Sequence, residues 1–535
     1  MNAEPAVRPA ALVSAERAQA LDAEAAAGWG LNPFALMEAA GRSCASALVR
    51  SVPRLFDRCN AVPHITVLAG SGNNAADALV MLRILVTQGR AVPSLSRVIL
   101  SRLPAKPDEK SPLQAALCAL RKLNVPVTVW DSAPSALLEE ADIVIDGIAG
   151  TGLQGPLHGS ALAMAEAANA VRRAFIVSID VPSGNFDGWR PGMPLAASDV
   201  VLAVEPRKSC LYTPAARPFA GVIIPVGGIF PSALIEQYRE ADLFDWGSAS
   251  VRVPPVPADA YKYSRGLVEI RAGSPGACGA AQLAALGAQA AGAGLVRLIV
   301  DPSLYPALAG SASGIMVVPG GTDAEDSRFT PDAVLLGPGW GRGQDRRRLL
   351  ETYLPLEEQG LPLILDADAL ALAKDIVFHG NAILTPHAGE FAAYTGIAKD
   401  ALLADPVPVL KQYARERQVY ILFKSHVLYI AAPDGRIGLI DGMNPALGTG
   451  GSGDVLAGFC AAVAARQRAG PGFDGYSCAA AAAALLIEAA RSKSATGKFI
   501  DPAEIAAAAS VTAGRAWLPA VQYRAVQPPP GLWED

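Results

Sequence analysis

Two stretches of the chain repeat one pattern. Short runs of β-branched and leucine residues alternate with longer alanine-rich segments whose apolar positions recur at helical spacing. Such alternation predicts parallel α/β folds, with strands buried on both faces and helices as crossovers. The first stretch runs from about residue 15 to 245, with strands predicted at His64–Ala69, Val98–Ser101, Val127–Trp130, Ile143–Asp146, Phe175–Asp180 and Val200–Val204. The second runs from about 259 to 518, with strands predicted at Leu267–Arg271, Val296–Val300, Val334–Gly337, Leu363–Asp366, Ile383–Thr385 and Tyr420–Lys424. Between them, Val251-Arg252-Val253-Pro254-Pro255-Val256-Pro257 is too rich in proline to continue a helix or a central strand. The expected division is a domain over 1–250, a linker over 251–258, a second domain over 259–520 and an extended tail over 521–535.

Composition narrows the class. A chain of 535 residues exceeds one ordinary core, which agrees with two domains. Its 51% hydrophobic content is largely alanine, so it reads as helix-rich and globular. The longest apolar run, near Cys478–Ile487, is too short to cross a bilayer. Glu16, Arg17 and Asp22 stand where a signal peptide needs apolar residues, so secretion is not expected. A net charge of −5 without a basic run argues against a nucleic-acid partner. Seven scattered cysteines, with no C-x-x-C spacing, predict neither a disulfide framework nor a zinc site, and fit a reducing cytoplasm. Cys278 and Cys460 lie near motifs but are expected to be small buried apolar residues.

The chemistry concentrates at predicted strand ends. Gly448-Thr449-Gly450-Gly451-Ser452-Gly453-Asp454 runs into a helical pattern, which brings free backbone N–H groups and a helix dipole to one point. Such a point binds phosphate, and Asp454 in the first turn can take a proton from an attacking hydroxyl. Gly337-Pro338-Gly339-Trp340-Gly341, Asp366-Ala367-Asp368-Ala369-Leu370 and Thr385-Pro386-His387-Ala388-Gly389-Glu390 close three other strands, where open α/β sheets bind ligands. In the first stretch, Leu36–Gly41 reads as an amphipathic helix. It is followed by a strand ending in Gly70-Ser71-Gly72-Asn73-Asn74-Ala75-Ala76-Asp77-Ala78. Asp146-Gly147-Ile148-Ala149-Gly150-Thr151-Gly152-Leu153-Gln154-Gly155-Pro156 holds a G-x-G-x-x-G after a strand, a pattern suited to phosphate contact. Asp180-Val181-Pro182-Ser183 ends another strand with a carboxylate close to a hydroxyl.

The second set of motifs resembles the ribokinase-like branch that holds ADP- or ATP-dependent NAD(P)H-hydrate dehydratases. The first set resembles the NAD(P)H-hydrate epimerase domain of YjeF N-terminal type. The resemblance implies a Rossmann-like α/β/α domain followed by a ribokinase-like α/β/α domain, acting as isomerase and lyase in metabolite repair. It places Ala293, Gly339 and His387 on the hydrated nicotinamide. Lys424, Ser425, His426, Val427 and Leu428, with Gly451, Ser452 and Gly453, fall on the nucleotide, and Asp454 becomes the catalytic base. In the first domain it places Asn73, Asn74 and Asp77 on the substrate and Gly150, Thr151, Gly152, Leu153, Gln154, Gly155 and Pro156 on its phosphates. Asp180 comes to the reacting ring, and Asn74, Asp146 and Ser183 to a potassium ion. Implied partners are small molecules only (NADH and NADPH hydrates, and ADP or ATP with magnesium), with the chain a homo-oligomer. Four departures stand out: Ser71 where the family has proline, Ala75, Ala76 and Ala78 where it has glycine, Ser425 where it has glycine, and Lys262-Tyr263-Ser264-Arg265-Gly266 for its Lys-Gly-x-x-Gly loop. The phosphate loop and Asp454 alone also suit a small-molecule kinase carrying a non-catalytic N-terminal binding module. The Thr385–Glu390 segment and the fused first domain weigh against that alternative.

Overall fold

A computed structural model describes residues 7–56, 62–103, 111–130, 135–310, 314–321, 330–470, 472–495 and 499–518. The proposed tail over 521–535 lies outside them. Among the described residues, ten strands come from the first half: β1 Ala10–Val13, β2 Ile65–Ala69, β3 Ser96–Leu100, β4 Val127–Val129, β5 Ile143–Gly147, β6 Phe175–Ile179, β7 Val200–Val204, β8 Arg207–Lys208, β9 Val222–Val226 and β10 Ala241–Leu243. Nine follow: β11 Leu267–Arg271, β12 Leu295–Val300, β13 Met316–Pro319, β14 Ala333–Leu336, β15 Leu363–Leu365, β16 Ala382–Leu384, β17 Tyr420–Phe423, β18 Val427–Ala431 and β19 Ile437–Asp441. Every strand predicted from the sequence is present, within a residue or two at either end.

Strands β4-β3-β2-β5-β6-β7-β9 form a parallel seven-stranded sheet. Its order reverses between β2 and β5, and the loops after those two strands carry Gly70–Asp77 and Gly147–Gly150. The second sheet runs β13-β12-β11-β14-β15-β16-β17-β18-β19-β10-β1-β8 and reverses between β11 and β14. A reversal leaves a crevice at the carboxyl ends of the strands, because the flanking crossovers leave in opposite directions. Both faces are covered. Successive residues of one strand, such as Leu363, Ile364 and Leu365, alternate between two separate cores.

The expected linker is not free. Val253 and Val256 are buried in the core of the second half, and Val256 N–H donates to Trp517 O at 2.7 Å. Nor does the boundary separate the sheets, since β1, β8 and β10, all from residues before 251, extend the second sheet. Strand β10 pairs in parallel with β19, and Leu12, Val201, Leu211, Tyr212 and Leu243 share a core with β14 to β19. Proline content identified a break in regular structure, but a break in hydrogen-bonding pattern does not require a break in packing.

Two glycines set how closely the main helices approach. A methyl at Gly458 would lie 2.1 Å from Ala284 O, and one at Gly287 would lie 2.4 Å from Val455 O. Helix Ser452–Arg468 therefore seats on helix Cys278–Ala290 backbone to backbone, which aims its first turn at the strand ends. Cys460 is buried in this contact as expected, whereas Cys278 is exposed.

A fragment of residues 251–535 should melt below the full chain, because it lacks the cover over β19. Exposing one or two apolar side chains costs ~3 kcal/mol, or roughly 6–12 °C for a domain of this size. Differential scanning calorimetry of the two proteins checks this, and equal midpoints would contradict it.

Candidate active sites

The first site is a cavity of about 740 Å³ at the β2/β5 reversal. Asn73, Asn74, Asp77, Gly150, Thr151, Gly152, Leu153 and Asp180 line it, while Gln154, Gly155 and Pro156 lie outside the lining. Asn73 opens helix Asn73–Thr87. Ala75, Ala76 and Ala78 are buried in the core beneath that helix and line no part of the cavity. The Ala78 methyl packs toward the sheet: one added at Gly147 would meet Ala78 Cβ at 2.7 Å. The alanines that replace family glycines thus fill core volume instead of crowding a ligand.

Asp180 holds a left-handed backbone conformation, φ +65°, which turns its carboxylate back over the strand end. Lys208 Nζ donates to Asp180 Oδ1 at 2.7 Å and to Val204 O at 3.1 Å. Burial raises the Asp180 carboxyl above its usual range, and the Lys208 charge opposes the rise. Asp77 is pushed up further, by burial and then by the carboxylates of Asp180 and Asp22. Asp22 and Lys208 both line the cavity, and motif reading missed both. A lysine just beyond an apolar strand was the available signal for Lys208.

Asp146 is fully buried, and its partners are all neutral: Ser178 Oγ at 2.7 Å, Ser183 Oγ at 2.5 Å and the N–H groups of Ser183 and Ile148 at 2.9 and 3.2 Å. Burial outweighs these bonds and raises its pKa. Ser183 Oγ and Asn74 Nδ2 both lie within hydrogen-bond distance of Ala149 O, at 3.0 and 3.1 Å, so two of the three predicted cation ligands meet at one carbonyl, and Ser183 links them to Asp146.

The second site lies along the carboxyl ends of β14 to β17. Lys424 Nζ donates to Asp366 Oδ1 at 2.6 Å, and Thr385 Oγ1 donates to the same oxygen at 2.7 Å. Lys424 N–H donates to Pro386 O at 2.8 Å, which sets the turn after β17 beside His387. His387 caps helix Ala388–Thr395: its Nδ1 accepts from the N–H groups of Gly389 and Glu390, so the ring proton sits on the exposed Nε2. Ser425 hydrogen-bonds within the turn, to the N–H and carbonyl of Val427. Val427 and Leu428 are buried in β18.

Gly451, at φ +100°, precedes helix Ser452–Arg468 and supplies no side-chain cap, so the helix's first N–H groups have no side-chain acceptor from that position. Ser452 Oγ donates to Leu447 O and Thr449 O, which folds the loop under the helix start. A methyl at Gly453 would lie 3.3 Å from Lys424 Nζ, so the helix start and the lysine face each other closely. Asp454 is pushed up to about 7 by burial and by the Asp366 carboxylate, with Lys424 opposing. Burial opposes the Lys424 charge, but Asp366 and Glu390 more than restore it.

One predicted position is misplaced. Ala293 precedes β12, at the amino end of a parallel strand, where Gly294 N–H meets Gly266 O at 3.0 Å. That is the edge opposite Asp366 and Asp454. Beside Gly339 stands Ala277: Gly339, at φ +56°, comes so near that a methyl there would be 2.6 Å from Ala277 Cβ. Both alanines lie in Gly/Ala-rich segments, which local pattern cannot tell apart.

The sequence matches two family models: one described as NAD(P)H-hydrate dehydratase, over residues 268–510, and one as YjeF-related protein N-terminus, over residues 33–205. A bifunctional NAD(P)H-hydrate repair enzyme of Salinibacter ruber is 32% identical over 497 residues, covering 85% of this chain and 88% of the relative. The chain belongs to the bifunctional NAD(P)H-hydrate repair enzyme family. Its relatives of the same name in Moorella thermoacetica and Escherichia coli are 32% and 28% identical, over 85% and 88% of this chain and 88% of each relative. The Bacillus subtilis ADP/ATP-dependent NAD(P)H-hydrate dehydratase, crystallised with ATP and magnesium, is 26% identical with a TM-score of 0.46, covering 51% of this chain and 98% of its own. In this repair-enzyme chain, Asp366, His387, Lys424 and Asp454 all fall inside the dehydratase match. Asp22 and Lys208 lie just outside the YjeF-related match and are joined to that site only by the fold.

Because Ala76 is fully buried in the helix interior, Ala76→Gly should cost about 0.5–1 kcal/mol of stability and leave hydrate affinity unchanged. Denaturant titration and the KM for R hydrate test this. A tighter KM would show that the alanine methyl obstructs the ligand after all.

Proposed function

We propose that the chain repairs hydrated NAD(P)H by two linked activities, epimerisation of R and S hydrates in the first cavity and ADP- or ATP-dependent dehydration of the S form in the second site. The observation that carries the dehydratase reading is Asp454 in the first turn of an uncapped helix, facing Lys424 and on the same strand edge as His387.

Asp454 takes the proton of the hydrate's C6 hydroxyl as that oxygen attacks the terminal phosphorus of the nucleotide, whose bond to the bridging oxygen breaks to release AMP or ADP. The N–H groups from Gly451 to Gly453 hold the phosphate charge, and Lys424 adds a positive charge beside it. Phosphate then leaves C6, pushed by the ring-nitrogen lone pair, and loss of the C5 proton restores the dihydronicotinamide. His387, Gly339 and Ala277 border the ring. The turn Lys424–Leu428 borders the nucleotide. Magnesium would come with the nucleotide phosphates and neutralise part of their charge.

In the first cavity, inversion at C6 requires the hydroxyl to leave and water to return on the opposite face. Asp180, held by Lys208, moves the proton at that oxygen. Asn73, Asn74 and Asp77 orient the hydrate, and Gly150–Leu153 approach its phosphates. The oxygens of Asn74, Asp146, Ser183 and Ala149 O suit potassium. The donor set is all oxygen, and the buried Asp146 carboxylate has neutral partners only.

Incubating the chain with S hydrate, nucleotide and magnesium should restore reduced-nicotinamide absorbance. A stable phosphorylated product, formed in equal amount with nucleotide consumed, would instead indicate a kinase. Asp454→Asn should slow recovery ~10²–10⁴-fold and leave nucleotide binding in place. A base must be ionised, and the Asp454 pKa is near 7, so wild-type kcat/KM should climb as pH rises through about 7 and level off above it. A profile flat from pH 5 to 9 would remove Asp454 from the role.

With an R,S mixture in potassium buffer, the wild type should convert all of the hydrate in one phase. Asp180→Ala should stall once the S fraction is spent, then proceed only at the spontaneous epimerisation rate. Identical progress curves for the two proteins would falsify the epimerase assignment.

A further inference from the structure

Residues 209–221 of the first half lie against the second site. Two of the polar contacts that fix them there bear on that site. Pro214 O accepts from His426 Nε2 at 2.6 Å, within the turn between β17 and β18. Arg217 is buried and grips Asp441, the last residue of β19, with Nε at 3.0 and 3.1 Å from the two carboxylate oxygens and Nη2 at 2.8 Å. Its Nη1 is satisfied by Gly221 O at 2.8 Å.

These contacts fall at one end of one strand pair. Val427 opposes Asp441 in the β18–β19 register, and Gly442 N–H donates to His426 O at 3.0 Å. From that end the chain leaves in two directions. Backward it enters Lys424 and the turn beside Asp366. Forward it runs through residues 442–447 into the glycine loop at Gly448–Gly453. A fork-shaped guanidinium on a carboxylate fixes direction as well as distance, which a single ammonium does not.

The geometry points to Arg217 as a positioning residue for the nucleotide site: the epimerase half of the chain holds the two loops of the dehydratase half in register. The inference rests on the proposed nucleotide role of Lys424–Leu428 and Gly451–Gly453, and adds to it a residue more than 200 positions away. Arg217 touches no substrate. It acts through Asp441, and the Pro214–His426 bond supports the same end. The segment also begins directly after Lys208, the partner of Asp180, so one short piece of chain is anchored in both sites.

The test uses the full chain carrying Arg217→Met or Arg217→Lys, with nucleotide and S hydrate varied separately and epimerisation measured in parallel. Misplacing a binding loop by about an ångström costs up to ~10²-fold, so Arg217→Met should raise the nucleotide KM roughly 10- to 100-fold. The hydrate KM and the epimerisation rate should stay near wild type. Arg217→Lys keeps the charge without the fork and should fall between the two; it also serves if the methionine variant fails to fold. Asp441→Asn should add little to Arg217→Met, since both remove one contact. A lowered melting temperature with an unchanged nucleotide KM in Arg217→Lys would overturn the positioning role and leave only a structural one. Failure of the wild type to bind ADP or ATP would overturn the underlying site assignment instead.

Discussion

The parallel pairing of β10 with β19 is the contact on which the rest of the architecture depends. Asp242 and Leu243 lie opposite Gly438 and Leu439, and Phe244 N–H continues the ladder to Leu439 O at 2.8 Å. Gly438 permits the approach, since a methyl there would meet Phe244 and the Tyr476 hydroxyl, each at 2.9 Å. Tyr476 in turn donates to Asp242 at 2.8 Å. Without this join, β19 would be an apolar edge strand with unpaired backbone groups, a template for association with other chains. With it, three strands of the first half become part of the second sheet, and both sites are built on one continuous frame.

The two sites use the same electrostatic device. Each pairs a buried carboxylate with a lysine, Asp180 with Lys208 at 2.7 Å and Asp366 with Lys424 at 2.6 Å. Each then sets a second carboxylate nearby, Asp77 in one and Asp454 in the other, with no ammonium of its own. Burial raises the pKa of the second carboxylate, and one ammonium cannot neutralise both charges, so the second binds its proton more tightly. In the dehydratase site this brings Asp454 to about 7, where a group can both accept and release a proton near neutrality.

Family likeness and local fit have separate causes here. The alanines at 75, 76 and 78 depart from the family loop, yet they face the core and strengthen a helix start, so they bear on packing more than on ligand binding. Gly458, by contrast, lies inside a motif and serves the close approach of two helices. A motif records which residues recur without saying whether chemistry or packing keeps them.

By itself the sequence determined the strand and helix pattern, the parallel α/β class, the glycine loop with Asp454 and the strand-end clusters at Asp366 and Thr385–Glu390. All of these are local, because strand runs, helix periods and anion loops are set by neighbours within about a dozen residues. It also named the part of the first cavity's lining that directly follows predicted strands. Only the tertiary structure decided that Lys208 meets Asp180, that Ala277 and not Ala293 faces Gly339, and that Arg217 reaches Asp441 across 224 positions. It alone carried the sheet past the proline-rich segment. The reason is the same in each case: pairing of strands and burial of charges depend on which distant surfaces meet, and composition around either partner is compatible with many such meetings.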